Sequence, residues 1–475
     1  MLNNSNLEVI TGLENLCRNP REKVKKKRLG LLANPASVDK NFRHASNLIN
    51  QIYPGQLKAL FSPQHGFHAE KQDNMIESDH ELDPVLKIPI FSLYSNTRIP
   101  TKEMFDLIDT LIVDIQDVGT RVYTFIYTIS YCLEAAAEYG KEVVILDRPN
   151  PLGGMAVEGN LLKKEYASFV GRFPIPMRHG LTVGEIASLF NSKFITGSNC
   201  LATAEHITKI NNLTDADCFT KTNCSTDTDC FVKTDCSTDT DCFVKTDCSI
   251  DTDFFKKMDC LTGKGCDLTV IPMKGWNRNM LFSDTNLPWI PPSPNLPNPY
   301  SALVYPGQVI WEGTNVSEGR GTTQPFEIFG APFINTDKIL CAISNQKTEQ
   351  YCSSDRVHIQ GAVLRTIAFQ PTSGKWQGEV CRGFQIHVVS PELFKPYKTS
   401  LLLLQQIIKH HSDQFRWKEP PYEYEYVKLP IDLILGDKAL RESIQNLENL
   451  DTIEASWQKE LDEFKKISRE FYLYA

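Results

Sequence analysis

The sequence predicts an α/β protein in which a parallel sheet with helices on both faces is followed by a smaller C-terminal α+β domain. Three observations carry this. Short apolar runs recur between helical stretches through the first half of the chain. These runs are continuously apolar rather than alternating, which is the pattern of strands buried on both faces and joined by crossover helices. Beyond a proline- and asparagine-dense crossing from Trp276 to Pro299 the pattern changes to mixed strands and helices.

The elements follow in order. Arg28 to Ala33 reads as a strand ending at Asn34-Pro35, and His44 to Gln51 as a helix. Leu57 to Phe61 is the next strand, broken by Ser62-Pro63-Gln64-His65-Gly66-Phe67. Ile88 to Leu93, Thr110 to Asp114 and Val143 to Leu146 complete the strands, with a helix from Thr124 to Tyr139. Thr182-Val183-Gly184-Glu185 has the form of a capping box, in which the Thr hydroxyl and the Glu carboxylate satisfy each other's backbone N–H groups at a helix start. After the crossing, Gly383 to Val389 reads as a strand, and Leu401 to His410 and Trp457 to Tyr472 as helices. The organisation expected is a lead-in over 1–24, an α/β domain over 25–299 and a C-terminal α+β domain over 300–475.

The α/β domain is interrupted by an internal repeat with a period of 12 residues, over 214–261. Thr214 to Ser225 is followed by near-identical copies starting at Thr226 and Thr238 and by a degraded copy from Ile250. Its cysteines are six apart, whereas structural zinc sites favour much closer pairs. A tandem insertion looped out of the fold is the preferred reading, ahead of a small β-solenoid patch and of a metal or redox role. Of 14 cysteines, eight lie between Cys218 and Cys266 and the other six are scattered like ordinary thiols, so a disulfide framework is not expected.

The remaining composition narrows the function classes. The 475 residues are 41% hydrophobic and 23% charged, with a net charge of -8, which argues against a nucleic-acid binder. The basic run from Lys23 to Arg28 reads as a solvated lead-in to the first strand. Met1 to Asn6 lacks the basic and apolar regions of a signal peptide, and no apolar run is long enough to span a bilayer, so a cytoplasmic location is expected.

Chemistry-bearing residues gather in four loops at strand ends or glycine-rich turns. They are Gln64-His65-Gly66, the stretch from Asp114 through Asp117 and Arg121 to Tyr123, Asp147-Arg148-Pro149-Asn150, and Glu312 to Thr323 with Asn315, Glu318 and Arg320. Ligands of open α/β sheets bind beyond the carboxyl ends of strands. Carboxylates, guanidinium groups and amides suit a polyhydroxylated or carboxylated ligand, and a carboxylate pair suits glycoside hydrolysis. Each residue also has a plain structural reading. Asp114 and Asp147 serve equally as caps, Arg121 as the partner of one of them, and His179 as a packed turn histidine. Glu158 serves as a turn residue, and the aromatics from Tyr123 to Tyr131 as core. Phosphate-loop, dinucleotide, serine-elbow and zinc-protease motifs are missing from the chain.

Read together, Asn34-Pro35, Pro63-Gln64-His65-Gly66, Asp114 to Arg121 and Asp147 to Pro151 resemble the exo-β-N-acetylmuramidases of the NamZ type, glycoside hydrolase family 171. Arg178-His179-Gly180, Lys274-Gly275-Trp276, Pro292-Ser293-Pro294-Asn295 and Glu312 to Thr323 extend the likeness, in order, to most of the chain from about residue 25. The resemblance implies a Rossmann-like N-terminal domain, a smaller C-terminal domain and a site in the cleft between them. The implied activity is removal of N-acetylmuramic acid from the non-reducing end of peptidoglycan fragments, as in cell wall recycling. No metal or organic cofactor is implied, and the partner expected is a small muramyl sugar or peptidoglycan fragment, without nucleic acid or membrane. Asn34, Asp114, Tyr123, Arg148, Asn150, His179, Asn315 and Glu318 become candidate substrate contacts, and Arg121, Arg178 or Arg320 candidate clamps for the lactyl carboxylate. The sequence departs from the family at one point, because its turn usually reads Pro-Glu-His-Gly with that glutamate as the catalytic acid/base. An amide at Gln64 cannot protonate a leaving oxygen, a function worth about 10²–10⁴-fold. Gln64 and His65 are then expected to contact the scissile oxygen or the sugar at the −1 position, with Glu70, Glu77 or Asp117 as replacement acid. The alternatives are a catalytically inactive muropeptide-binding protein and, more remotely, a scaffold whose working surface is the repeats.

Overall fold

The computed structural model describes residues 8–72, 75–195, 219–222, 230–233, 265–344 and 355–475. A seven-stranded sheet organises the first half. Strands β1 (Leu29–Ala33), β2 (Leu57–Ser62), β4 (Pro89–Ser92), β5 (Thr110–Asp114), β6 (Glu142–Leu146) and β11 (Asp267–Ile271) run parallel, and the short β3 (Glu81–Leu82) lies antiparallel at the edge. The order is β11-β6-β5-β1-β2-β4-β3, so the chain builds outward from β1 on one side and then returns to its other flank.

Burial on both faces explains why these strands lack alternation. In β5, Leu111 and Val113 belong to one apolar core while Ile112 between them belongs to the other. In β6, Val143 and Ile145 face the first core and Val144 and Leu146 the second. Helices α1 (Gly12–Arg18) and α2 (Ala45–Ile52) cover one face. The short α3 (Lys102–Asp106), α4 (Phe125–Glu138) and α5 (Val183–Lys193) cover the other. The expected capping box at Thr182 and Glu185 is present, with both reciprocal bonds made. An antiparallel pair, β7 (Glu158–Leu161) and β8 (Pro176–Arg178), links this half to the next.

The second half carries a four-stranded antiparallel sheet. Strands β12 (Ile328–Ala331), β13 (Arg356–Ile359), β14 (Ala362–Phe369) and β15 (Cys381–Val388) lie in the order β12-β15-β14-β13. The two expected helices are longer or displaced: they span Pro396–His410 and Leu450–Ser468. The first begins with a proline in its first turn, and Asn449 caps the second by accepting from the N–H groups of Asp451 and Thr452. One apolar core runs unbroken from Leu32 and Phe61 through Ile126 to Trp311, Phe329, Leu404 and Phe464.

Most of the 214–261 repeat lies outside the described residues. What is described is an antiparallel pair, β9 (Phe219–Thr222) and β10 (Cys230–Lys233), which joins the first copy to the second. Cys17, Cys132, Cys266 and Cys381 are free thiols, but Cys341 is disulfide-bonded, which corrects the expectation of scattered thiols. Pairing needs the two Cα atoms to approach within about 4.4–6.8 Å in space, and linear spacing does not show that.

Candidate active site

At the crevice between the carboxyl ends of β1 and β5, where the strand order reverses, the protein's own side chains tie the loops to one another. Arg148 donates to both carboxylate oxygens of Asp114, at 2.6 and 2.8 Å, and to the Val38 carbonyl at 3.0 Å. Asn34 donates to the Gln116 carbonyl, and Ser37 bridges Asn34 and the Asp114 backbone. Asn150 donates to the Leu181 carbonyl and accepts from Leu152. These four candidates, Asn34, Asp114, Arg148 and Asn150, are buried and engaged in tying loops together.

A cavity that gathers other candidates lies one strand over, at the end of β2. It is lined by Gln64 and His65, by Val122 to Phe125 at the start of α4, and by Ser293 and Asn295 of the crossing. Its other wall is Tyr305, Glu312, Arg320, Phe326, Tyr422 and Glu423 from the second half. The loops are locked to one another, since Asn295 donates to the Gln72 carbonyl at 3.0 Å.

Local backbone geometry sets the cavity's polar groups. His65 and Gly66 both adopt left-handed conformations, with φ of 78° and 88°. A Cβ at Gly66 would meet the Glu70 carboxylate at 2.1 Å, so that side chain would have to swing aside. His65 Nδ1 lies 2.7 Å from the Lys71 carbonyl, which holds the ring with that nitrogen protonated. Gln64 accepts from the Thr124 hydroxyl at 2.8 Å and donates to Glu423 Oε1 at 3.2 Å. Tyr94 donates to the other oxygen of Glu423 at 2.7 Å.

Two carboxylates therefore open into one cavity in contrasting settings. Burial pushes the Glu423 carboxyl above its usual range, and the bonds from Tyr94 and Gln64 and the nearby Arg320 only partly oppose this. Glu312 instead makes an ion pair with Arg320 at 2.7 Å and accepts from the Tyr422 hydroxyl at 2.8 Å. Behind them, Glu318 lies 2.9 Å from Lys375 and 3.5 Å from Arg320. Burial raises the Glu318 pKa, but these two cations outweigh it and hold the carboxyl below its ordinary value.

Of the candidates read from the sequence, Gln64, His65, Tyr123 and Arg320 line the cavity, and Glu318 supports it from behind. The three candidate replacement acids lie elsewhere. Glu70 is exposed behind Gly66 and accepts from the His68 N–H, and Glu77 is exposed beside Tyr424 and Arg98. Asp117 is buried, accepts from the Gly119 N–H at 2.7 Å and sits 3.7 Å from His179. His179 accepts from the Leu181 N–H. Arg178 donates to the Leu152 carbonyl and Asn315 to the Gln414 carbonyl. Arg121 is fully buried and donates to four carbonyls, those of Asn160, Ile175, Ile434 and Leu435. Reading by loops missed Tyr422 and Glu423, 359 residues from Gln64 in the case of the glutamate. The available signal was Pro420-Pro421 ahead of alternating tyrosines and glutamates, a stiff turn presenting acids. Among the described residues no cluster of three or more His, Cys, Asp or Glu side chains is arranged to hold a metal ion.

Comparison with known proteins bears on this geometry. The family model for the N-terminal part of exo-β-N-acetylmuramidase NamZ matches residues 29–227 and 252–300, and that for its C-terminal part matches 303–474. The match omits 228–251, which is 24 residues or two periods of the repeat. The peptidoglycan β-N-acetylmuramidase NamZ of Bacillus subtilis is 36% identical over 98% of this chain and 92% of that protein. Two crystal structures of DUF1343 family proteins from Bacteroides fragilis are also similar. One has a TM-score of 0.75 and 28% identity, covering 99% of this chain and 100% of that one. The other has a TM-score of 0.64 and 25% identity, covering 98% and 99%. The chain belongs to the NamZ family of exo-β-N-acetylmuramidases.

Proposed function

We propose that this protein hydrolyses the glycosidic bond of a non-reducing-end N-acetylmuramic acid in peptidoglycan fragments. The observation that carries this is the single cavity into which Glu312 and Glu423 both open, between the Gln64 turn and the second half of the chain. Glycosidases flank the scissile bond with two carboxyl groups, one that gives a proton and one that faces the developing positive charge. His65, Tyr123, Ser293 and Asn295 offer hydrogen-bonding groups to the sugar's hydroxyls and acetamide.

The lactyl carboxylate is assigned to the first turn of α4, with Arg320 on the wall across from it. Thr124 there makes no side-chain cap, its hydroxyl being turned to Gln64, and a helix start favours an anion. We divide the chain at 299/300, close to where the two family-model matches meet. Recycling of wall fragments in the cytoplasm is the setting we infer. The free thiols support it, the Cys341 disulfide stands against it, and cell fractionation decides.

The activity is tested with purified protein and 4-nitrophenyl β-N-acetylmuramide, with the corresponding glucosaminide, which lacks the lactyl group, as control. Release from the muramide and little from the glucosaminide is expected. Calorimetric binding of N-acetylmuramic acid without release from any muramide would refute hydrolysis and identify a muropeptide-binding protein.

A further inference from the structure

We propose that Glu423 is the group that protonates the leaving glycosidic oxygen, taking the place of the carboxylate that position 64 lacks. This rests on the hydrolase reading above. Three observations converge on it. Glu423 lines the cavity, and it is the carboxyl that Gln64 touches, at 3.2 Å. Gln64 itself is spent on the protein, its oxygen on Thr124 and its amide on Glu423, so it orients the acid rather than replacing it. The backbone around Glu423 is also unusual: Glu423 and Tyr424 both hold left-handed conformations, with φ of 46° and 66°. Non-glycine residues rarely adopt this conformation, and strain of this kind gathers where geometry serves a site.

The surroundings shift this carboxyl toward its protonated form. Glu423 is 5% exposed, and the side chains facing it are Tyr94, Gln64, Tyr305, Tyr422, Glu312 and Arg320. Burial and the Glu312 charge favour the neutral carboxylic acid, while Tyr94, Gln64 and Arg320 favour the anion, and burial is the largest influence. In the reaction the Glu423 proton passes to the glycosidic oxygen as the C1–O bond breaks, and the bond's electron pair leaves with that oxygen. The aglycone departs as an alcohol and Glu423 is left as a carboxylate. Water then bonds to C1, and the proton it loses returns to Glu423. Glu312, paired with Arg320, shares the cavity with the positive charge that develops at C1.

The test compares two leaving groups. A nitrophenolate departs without a proton, whereas the sugar of an N-acetylmuramyl-N-acetylglucosamine disaccharide does not. E423Q is expected to lose about 10²–10⁴-fold in kcat/KM on the disaccharide while keeping most turnover of 4-nitrophenyl β-N-acetylmuramide. Y94F, which removes a bond favouring the anion, is expected to move the alkaline limb of the kcat/KM profile to higher pH. Equal loss by E423Q on both substrates, unchanged turnover of the disaccharide, or an alkaline limb unmoved in Y94F would overturn the assignment. A wild-type protein inactive on both substrates would instead refute hydrolysis itself, and the assignment with it.

Discussion

Arg121 is the residue for which sequence and structure suggest the most different experiments. Its motif made it a candidate clamp for a ligand carboxylate, yet its guanidinium is buried away from the cavity. It donates at 2.7 and 3.1 Å to the carbonyls of Asn160 and Ile175, and at 3.0 and 2.7 Å to those of Ile434 and Leu435. The last two belong to the final turn of the helix Pro430–Leu435, whose carbonyls have no partner within the helix and favour a cation. One side chain thus bonds the β7 region to the C-terminal helices. Hydrogen bonds to a charged group contribute about 1.5–3 kcal/mol each. Because a single group makes all four, they are not additive, and a loss on the order of 6 kcal/mol for R121M is the reasonable scale. Whole-protein stability is only about 5–15 kcal/mol, so R121M is expected to fold poorly. R121K is the informative variant. Its ammonium is a point charge that cannot match a planar fork aimed at four carbonyls, and roughly half the loss, about 3 kcal/mol, is expected in urea unfolding. The KM of folded R121K for the muramide should stay within about twofold of wild type. Stability within about 0.5 kcal/mol of wild type combined with a KM raised about tenfold would refute this reasoning and return Arg121 to the ligand.

Two further outcomes follow from the same structure. Asp147 is fully buried and accepts from Thr182, Gly184 and Tyr474, and burial pushes its carboxyl up to about 6 from 3.8. The folded state therefore holds a proton that the unfolded chain has released between those values. Stability falls as pH rises through that window, by about 3 kcal/mol, and is flat above it. D147N should show a shallower fall in urea unfolding between pH 4 and pH 6, and an unchanged slope would count against the buried-acid account. Deleting 228–251 removes two whole periods of the repeat that the family match omits. Hydrolysis should then stay within about twofold, since loop length itself costs little, and loss of function would instead give the repeats a working role.

What the sequence made legible follows from how local each signal is. Thr110–Asp114 was placed to the residue because a strand buried on both faces is a continuous apolar run, and the Thr182 cap because its partner is three residues away. The strand Asp267–Ile271, which follows the repeat and closes one edge of the sheet, is not among the strands read from the sequence. Its outer residues are only partly buried and its sequence begins with a charge, so the apolar run is weak. In the site, residues on the β2 and α4 loops were found because a strand end announces them. Glu423 was not, since a glutamate between tyrosines has no local mark of burial. Arg121 and Arg320 look alike in sequence, both in glycine-bearing polar turns. The fold sends one to backbone carbonyls and the other to a cavity carboxylate.

The contact between Gln64 and Glu423 changes what the substitution at position 64 means. Two buried carboxyl groups at such a distance cannot both ionise, so a glutamate at 64 would share one proton with Glu423 and the pair would titrate together. An amide offers Glu423 an N–H where a protonated partner would offer an O–H, in nearly the same shape. The hydrogen bond survives at 3.2 Å, and the repulsion that would divide the proton between two groups is gone. What remains is a single carboxyl whose proton affinity is governed mainly by burial. The proton that reaches the leaving oxygen then has one source instead of two. Gln64 therefore need not silence the site: it concentrates in Glu423 the acid function that a pair would have divided.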